Sequence, residues 1–309
     1  HNLHSMLAPL DFEEEVDWRA ESFHEGTRQW YFDKFDAWTH LHSSSATPLG
    51  ILTAPTGSGK TCLVCRLKQK RPNEIIAIHL CRHDDVETTN PNRVVRSICY
   101  QLAMAAADKW LGGSSSGSSS GGPTKGWPTL IGYLQALESE LSLLRKFDLD
   151  GDSYDLKEIF SRLIVIPLRS TSPPLDGRRR VCVIDNVDDC GSELVACLKE
   201  CASSLPPWLG FFLTSSGTEN KVGSAAERET EKDGFRARGA NTEGKSLAES
   251  QLDLLTREIS FLGFDPELNA MDVRVVLRHA LRNSPAYCRA GGESVATTLT
   301  VKTRVAEGR

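Results

Sequence analysis

The chain has 309 residues, 39% hydrophobic and 25% charged, with a formal net charge of −5. That balance supports a buried core in one large domain or two smaller ones, and it argues against a wholly disordered acidic chain and against nucleic acid as the main partner. No stretch approaches the roughly 18 uninterrupted apolar residues of a membrane-spanning helix, and nine cysteines in a chain this long favour free thiols in a reducing, cytoplasmic setting. The first ten residues lack a basic start followed by a long apolar run, so no signal peptide is expected.

Residues 1–47 read as a helical lead-in, in which Trp30, Tyr31, Phe32, Phe35 and Trp38 repeat at helical spacing and suit a core. A core domain is expected over 48–216. Its first buried strand runs Leu49 to Thr53 and its second Ile75 to Cys81, both short apolar runs. Asn90-Pro91 is a cap followed by a first-turn proline, and Val94, Val95, Ile98, Cys99 and Leu102 then mark a helix. From Gly112 to Gly126, twelve of fifteen residues are Gly or Ser, too little side chain to pack, so a flexible loop is expected at 112–126. Trp127, Leu130, Ile131, Leu134, Leu137, Leu141 and Leu144 predict a further helix. The run Leu163 to Leu168 is strand-sized. Val181 to Val187 and Leu209 to Thr214 read as two more strands, with a helix capped by Ser192 between them. From Gly217 to Ser246, six acidic and six basic residues share the stretch with almost no apolar ones, so 217–250 is expected to be a disordered linker. The segment 251–309 then offers a last strand at Glu258 to Leu262 and a helix at Met271 to Leu281. Strands alternating with helices predict an α/β fold with a mostly parallel sheet.

The first strand ends at Ala54-Pro55-Thr56-Gly57-Ser58-Gly59-Lys60-Thr61, with Cys62 and a helical pattern following. This is a P-loop pattern with Ala in place of the usual first Gly. Gly57 and Gly59 let the backbone curl so that several N–H groups point inward, and the helix adds its positive end, a cradle for a polyphosphate. Lys60 is the candidate for the β- and γ-phosphates and Thr61 for one place on Mg²⁺. The third strand of the core delivers Asp185, Asp188 and Asp189 at its C-terminal end, where open α/β sheets bind ligands. Asp185 is the candidate to hold Mg²⁺ through water, and Asp188 or Asp189 to orient or deprotonate an attacking water. The bland alternative is that Asp185-Asn186 caps a helix and the other two acids are solvated.

These residues resemble the STAND class of P-loop NTPases, and within it the NACHT-like modules of signalling proteins. Four stretches carry the resemblance: Gly26-Thr27-Arg28-Gln29-Trp30-Tyr31-Phe32, the P-loop, His79 to Asp85 with the helix through Gln101-Leu102-Ala103, and Val183 to Cys190. The resemblance implies a three-layer P-loop NTPase core with an aromatic N-terminal helix and a partial C-terminal helical lid. It also implies ATP or another nucleoside triphosphate with Mg²⁺, Arg28 near the nucleotide, and a switch working through protein partners or self-association. Two departures bear on turnover. Asp189 stands where the family has Glu, one methylene longer, and Leu213-Thr214-Ser215-Ser216 offers hydroxyls where the family commonly has an arginine. Slow hydrolysis is therefore expected. The alternatives are a hydrolysis-deficient nucleotide-binding scaffold and, further off, a small-molecule kinase.

Other patterns carry less. Cys62 and Cys65 have CxxC spacing but lie in the P-loop helix with no second pair, so they read as packing thiols. His79, Cys81 and His83 alternate along a strand end and read as packing. Arg178-Arg179-Arg180 reads as a solvated loop before a strand.

Overall fold

The computed structural model describes residues 3–40, 47–110, 131–144, 155–216, 260–261 and 266–282. The chain divides into two compact units, His1–Phe23 with Asp33–Gly263, and His24–Phe32 with Phe264–Arg309. In chain order its elements are α1 (Leu3–Leu7), α2 (Glu13–Glu21), α3 (Gln29–Thr39), β1 (Leu49–Thr53), α4 (Lys60–Lys70), β2 (Ile75–Leu80), α5 (Val86–Thr89) and α6 (Pro91–Trp110). There follow α7 (Ile131–Leu144), α8 (Leu156–Phe160), a π-helical turn at Ser161–Val165 leading into α9 (Ile166–Leu168), β3 (Arg180–Asp185), α10 (Gly191–Cys201), β4 (Leu209–Ser215), β5 (Ser260–Phe261) and α11 (Pro266–Arg282). The loop expected at 112–126 and the linker expected at 217–250 lie outside the described residues.

The five strands form one parallel sheet in the order β2-β3-β4-β1-β5. Every residue of β2, β3 and β4 is buried, which is why these strands read as continuous apolar runs rather than alternating ones. Leu49, Ile51, Cys182, Ile184, Phe211 and Leu213 share one apolar cluster with residues of α6 to α10. On the alternate face, Phe212 meets Phe35 edge-to-face at 5.5 Å and lies 6.0 Å from the Trp38 ring. Trp38 fits there because two neighbouring strands carry glycine. A Cβ on Gly210 would stand 2.6 Å from Arg179 Cδ and 2.9 Å from the Trp38 ring, and one on Gly50 would stand 3.1 Å from that ring.

The short apolar run Leu163 to Leu168 is helical and continues α8, whose N-cap Asp155 accepts a hydrogen bond from Lys157 N–H. Two local expectations are corrected. Ser192 lies inside α10 instead of capping it; Cys190 takes the cap position at the end of a 3₁₀ turn, and Gly191 makes the corner at φ +78°. The basic run is not solvated. Arg180, 1% exposed, donates to Asp176 Oδ2 (2.8 Å) and to the Arg178 carbonyl (3.1 Å). Arg179, 4% exposed, lies 4.9 Å above the Trp38 ring and donates to the Thr47 carbonyl (2.8 Å). Among the described residues no helix is long and apolar enough to cross a membrane.

Candidate functional site

The C-terminal ends of β1, β4 and β3 lie side by side, because β4 is inserted between the other two. Open parallel sheets take ligands in a crevice outside the carboxyl ends of their strands. Here the crevice receives the 54–61 loop from β1 and the acidic turn from β3.

The loop leaves β1 with Ala54 N–H donating to the Ser215 carbonyl (3.1 Å), which ties its start to the end of β4. It then bends through Gly57 and Gly59, both at φ +81°, a region that costs a side-chain-bearing residue but not glycine. Gly59 leads directly into α4, so the free N–H groups of the first turn face the loop. Lys60, 7% exposed, donates through Nζ to the Ala54 carbonyl (2.7 Å) and the Pro55 carbonyl (3.2 Å). An ammonium has three N–H donors, so one is left for a ligand. Burial lowers the Lys60 pKa, and the nearby charges of Asp185 and Asp188 offset part of that.

Asp185 ends β3 almost fully buried, at 1% exposure. Its Oδ2 accepts from Thr61 Oγ1 (2.7 Å) and its Oδ1 from Thr214 Oγ1 (2.5 Å). Burial raises its pKa, while the Thr214 and Thr61 bonds and then the Lys60 and Arg19 charges pull it back. Asp188 is fixed from β4, with Oδ1 accepting from Ser215 Oγ (2.8 Å) and Oδ2 from the Ser216 N–H (2.5 Å). Between the two sequence segments lies a cleft of about 410 Å³, whose walls include Gly57, Lys60, Thr61, Cys62, Asp188 and Asp189. That volume lies within the ~300–1,000 Å³ of small-molecule sites.

The loop and the acidic strand end, far apart in sequence, thus meet through the Thr61–Asp185 bond. A family model described as Nephrocystin 3, N-terminal, matches residues 26–122. The match is similarity over the Gly26–Phe32 segment, the 54–61 loop and the helix after β2; it ends before the acidic strand. A comparison with curated proteins finds no match.

Of the residues picked from sequence, Thr56, Gly57, Gly59, Lys60, Thr61, Cys62, Asp188 and Asp189 line the cleft. Asp185 stands behind it, bonded to Thr61. Ala54 and Pro55 act through their carbonyls, which hold the Lys60 ammonium. Arg28 belongs to the second unit, where its backbone N–H donates to Asp272 Oδ2 (2.8 Å), as does Trp30 Nε1 (3.3 Å). Cys65 is buried, and burial pushes its thiol pKa up. His83, expected to pack along a strand end, is instead exposed and lines the cleft. Sequence reasoning also missed two other contributions. The hydroxyls of Thr214 and Ser215 hold the two carboxylates in place; the signal was a hydroxyl run at the end of a buried strand, uninterpretable until β4 was known to lie beside β3. Arg19 of α2 also lines the cleft, and nothing in the spacing of α2 points there.

Among the described residues no three His, Cys, Asp or Glu side chains are grouped to hold a metal by themselves. A cation here would depend on the Thr61 hydroxyl, water held by Asp185, and oxygens of a bound ligand. Mg²⁺ is commonly held that way, by few protein ligands plus phosphate oxygens and water.

Proposed function

We propose that the chain is an ATP- and Mg²⁺-binding module of the STAND, NACHT-like type of P-loop NTPase, working as a nucleotide-dependent signalling switch with slow hydrolysis. The observation that carries this reading is the convergence of Lys60 and Thr61, at the start of α4, with Asp185 at the end of β3, through the 2.7 Å Thr61–Asp185 bond. Loop N–H groups and Lys60 would hold the phosphates, and the Thr61 hydroxyl, kept in place by Asp185, would face the cation. Mg²⁺ supplies neutralisation of phosphate charge when bound. The family-model match over 26–122 takes in the Gly26–Phe32 segment and the 54–61 loop that carry the resemblance, and protein partners or self-association are part of the proposal.

A second reading, a nucleotide-binding scaffold that does not hydrolyse, is favoured by one observation. Both carboxylate oxygens of Asp188 already accept hydrogen bonds, from Ser215 Oγ and the Ser216 N–H, which leaves fewer lone pairs for an attacking water. Asp189 lines the cleft but carries the shorter acidic side chain. Labelled-ATP binding and phosphate release, compared between wild type and Lys60→Ala, test both readings. Binding lost in the variant supports the site; wild-type binding with no release above contaminant background selects the scaffold; equal binding by both proteins refutes the site.

A further inference from the structure

Resting on the nucleotide-binding reading, we propose that Arg19 reads the terminal phosphate of the bound nucleotide, an arginine brought to the cleft by α2 and not by either segment that defines the site. Helices α2 and α4 pack against each other, so the N-terminal part of the chain runs beside the helix that opens with Lys60. Arg19 falls in the last turn of α2 and lines the same cleft as Lys60, Thr61 and Asp188.

Its side chain is held from one edge. Glu15 Oε1, one helical turn earlier, accepts from Nε (2.8 Å) and from Nη2 (2.7 Å), and the Trp18 ring lies 4.6 Å from the guanidinium carbon. Glu15 is itself anchored, its other oxygen 3.4 Å from Arg82 Nη1, while Arg82 Nη2 pairs with Asp85 at 2.7 Å. Among the described residues the Nη1 edge of Arg19 has no hydrogen-bond acceptor, and the side chain is 27% exposed. A guanidinium gripped along one edge and open along the other is arranged for two parallel bonds to an oxyanion. Its charge also reaches the site, since it is among the influences lowering the Asp185 pKa against the effect of burial.

Chemistry then sorts the phosphates. The N–H groups of the 54–61 loop serve the phosphates that a diphosphate and a triphosphate share, and Lys60 spans the second and third. The triphosphate brings one further phosphoryl group to a cleft also lined by the acidic Asp188 and Asp189. Arg19 is the cation placed to offset that charge, and the end of β4 offers only Thr214, Ser215 and Ser216 for it. If Arg19 served only the Glu15 ion pair, its removal would leave nucleotide preference alone, since a pair within one helix at this spacing adds to helix stability and not to ligand choice.

The test is equilibrium binding of labelled ATP and ADP, with Mg²⁺, to the 309-residue chain as wild type, Arg19→Ala, Arg19→Gln and Lys60→Ala. The ATP-to-ADP affinity ratio is expected to fall about tenfold or more in Arg19→Ala, the loss of a charged hydrogen bond being ~10- to 100-fold. Lys60→Ala is expected to weaken both nucleotides. Arg19→Gln keeps the bulk and polar contacts of the side chain without the charge, so it gives the same reading should Arg19→Ala fail to fold. An unchanged ratio in a folded Arg19 variant overturns the role of Arg19 while leaving the site intact. Wild-type protein that binds neither nucleotide overturns the underlying reading instead.

Discussion

Strand β3 starts and ends with a buried charge, and the two ends are treated differently. At its N-terminal end, Arg180 is compensated by the charged partner Asp176, and its neighbour Arg179 is covered by the Trp38 ring. At its C-terminal end, Asp185 is met by two neutral hydroxyls, and Lys60 by two neutral carbonyls. Burial displaces both of these toward their uncharged forms, Asp185 upward and Lys60 downward. One end is finished as structure; the other keeps charge in reserve beside a cleft, an arrangement typical of a site that a ligand completes.

Charge removal and steric insertion should therefore have opposite consequences at the two ends. The largest effect is expected at the cleft: Lys60→Ala should weaken ATP binding by at least a hundredfold while moving the thermal midpoint little, because the variant deletes a desolvated charge. Calorimetric titration and thermal melts on the same preparation check the pair of outcomes. Next comes the packed end. Gly210→Ala puts a methyl group 2.6 Å from Arg179 Cδ and 3.0 Å from the Pro48 carbonyl, and should cost about 1–3 kcal/mol of stability. Nucleotide affinity should stay within about twofold, as measured by denaturant unfolding alongside titration.

A smaller effect sharpens the contrast through pH. His79 is buried in β2, with Nε2–H donating to the Thr88 carbonyl (2.8 Å) and Phe12 edge-on at 4.9 Å. Burial holds its pKa down at about 4, against an ordinary value of 6.5, and the Thr88 bond only partly opposes this. In the unfolded chain the imidazole takes up a proton as pH falls through 6.5; in the folded chain it does so only near 4. Stability should fall across that window. His79→Gln should flatten the fall, which denaturant midpoints at pH 7 and pH 5 would reveal; identical slopes in both proteins would contradict it.

Much of the sheet was legible because buried parallel strands leave a plain signature. The expected runs at 49–53, 75–81, 181–187 and 209–214 differ from β1 to β4 by no more than two residues at any end. Asn90 was legible as a cap, and its Oδ1 accepts from Asn92 N–H at 2.9 Å. The 54–61 loop was legible because glycine spacing records positive-φ backbone directly. Strand order was not, since period and composition say nothing about which strand β4 sits beside. The consequences for Thr214, Ser215 and Arg19 stayed hidden with it. The buried arginines were misread for a related reason: three basic residues in a row look solvated until Trp38, Gly210 and Asp176 are known to surround them.

The most direct test of the central claim is the Mg²⁺ dependence of labelled-ATP binding in wild type and Asp185→Asn, with melts of both ligand-free proteins. Because the Asp185 pKa is raised, its charge costs the ligand-free fold at neutral pH, so the amide variant should melt at the same temperature or higher. Wild type should bind ATP far more tightly with Mg²⁺ than without, and the variant should lose that difference. The same Mg²⁺ dependence in a folded Asp185→Asn protein, or none in wild type, would contradict a shared cation site built from the loop and the acidic strand end.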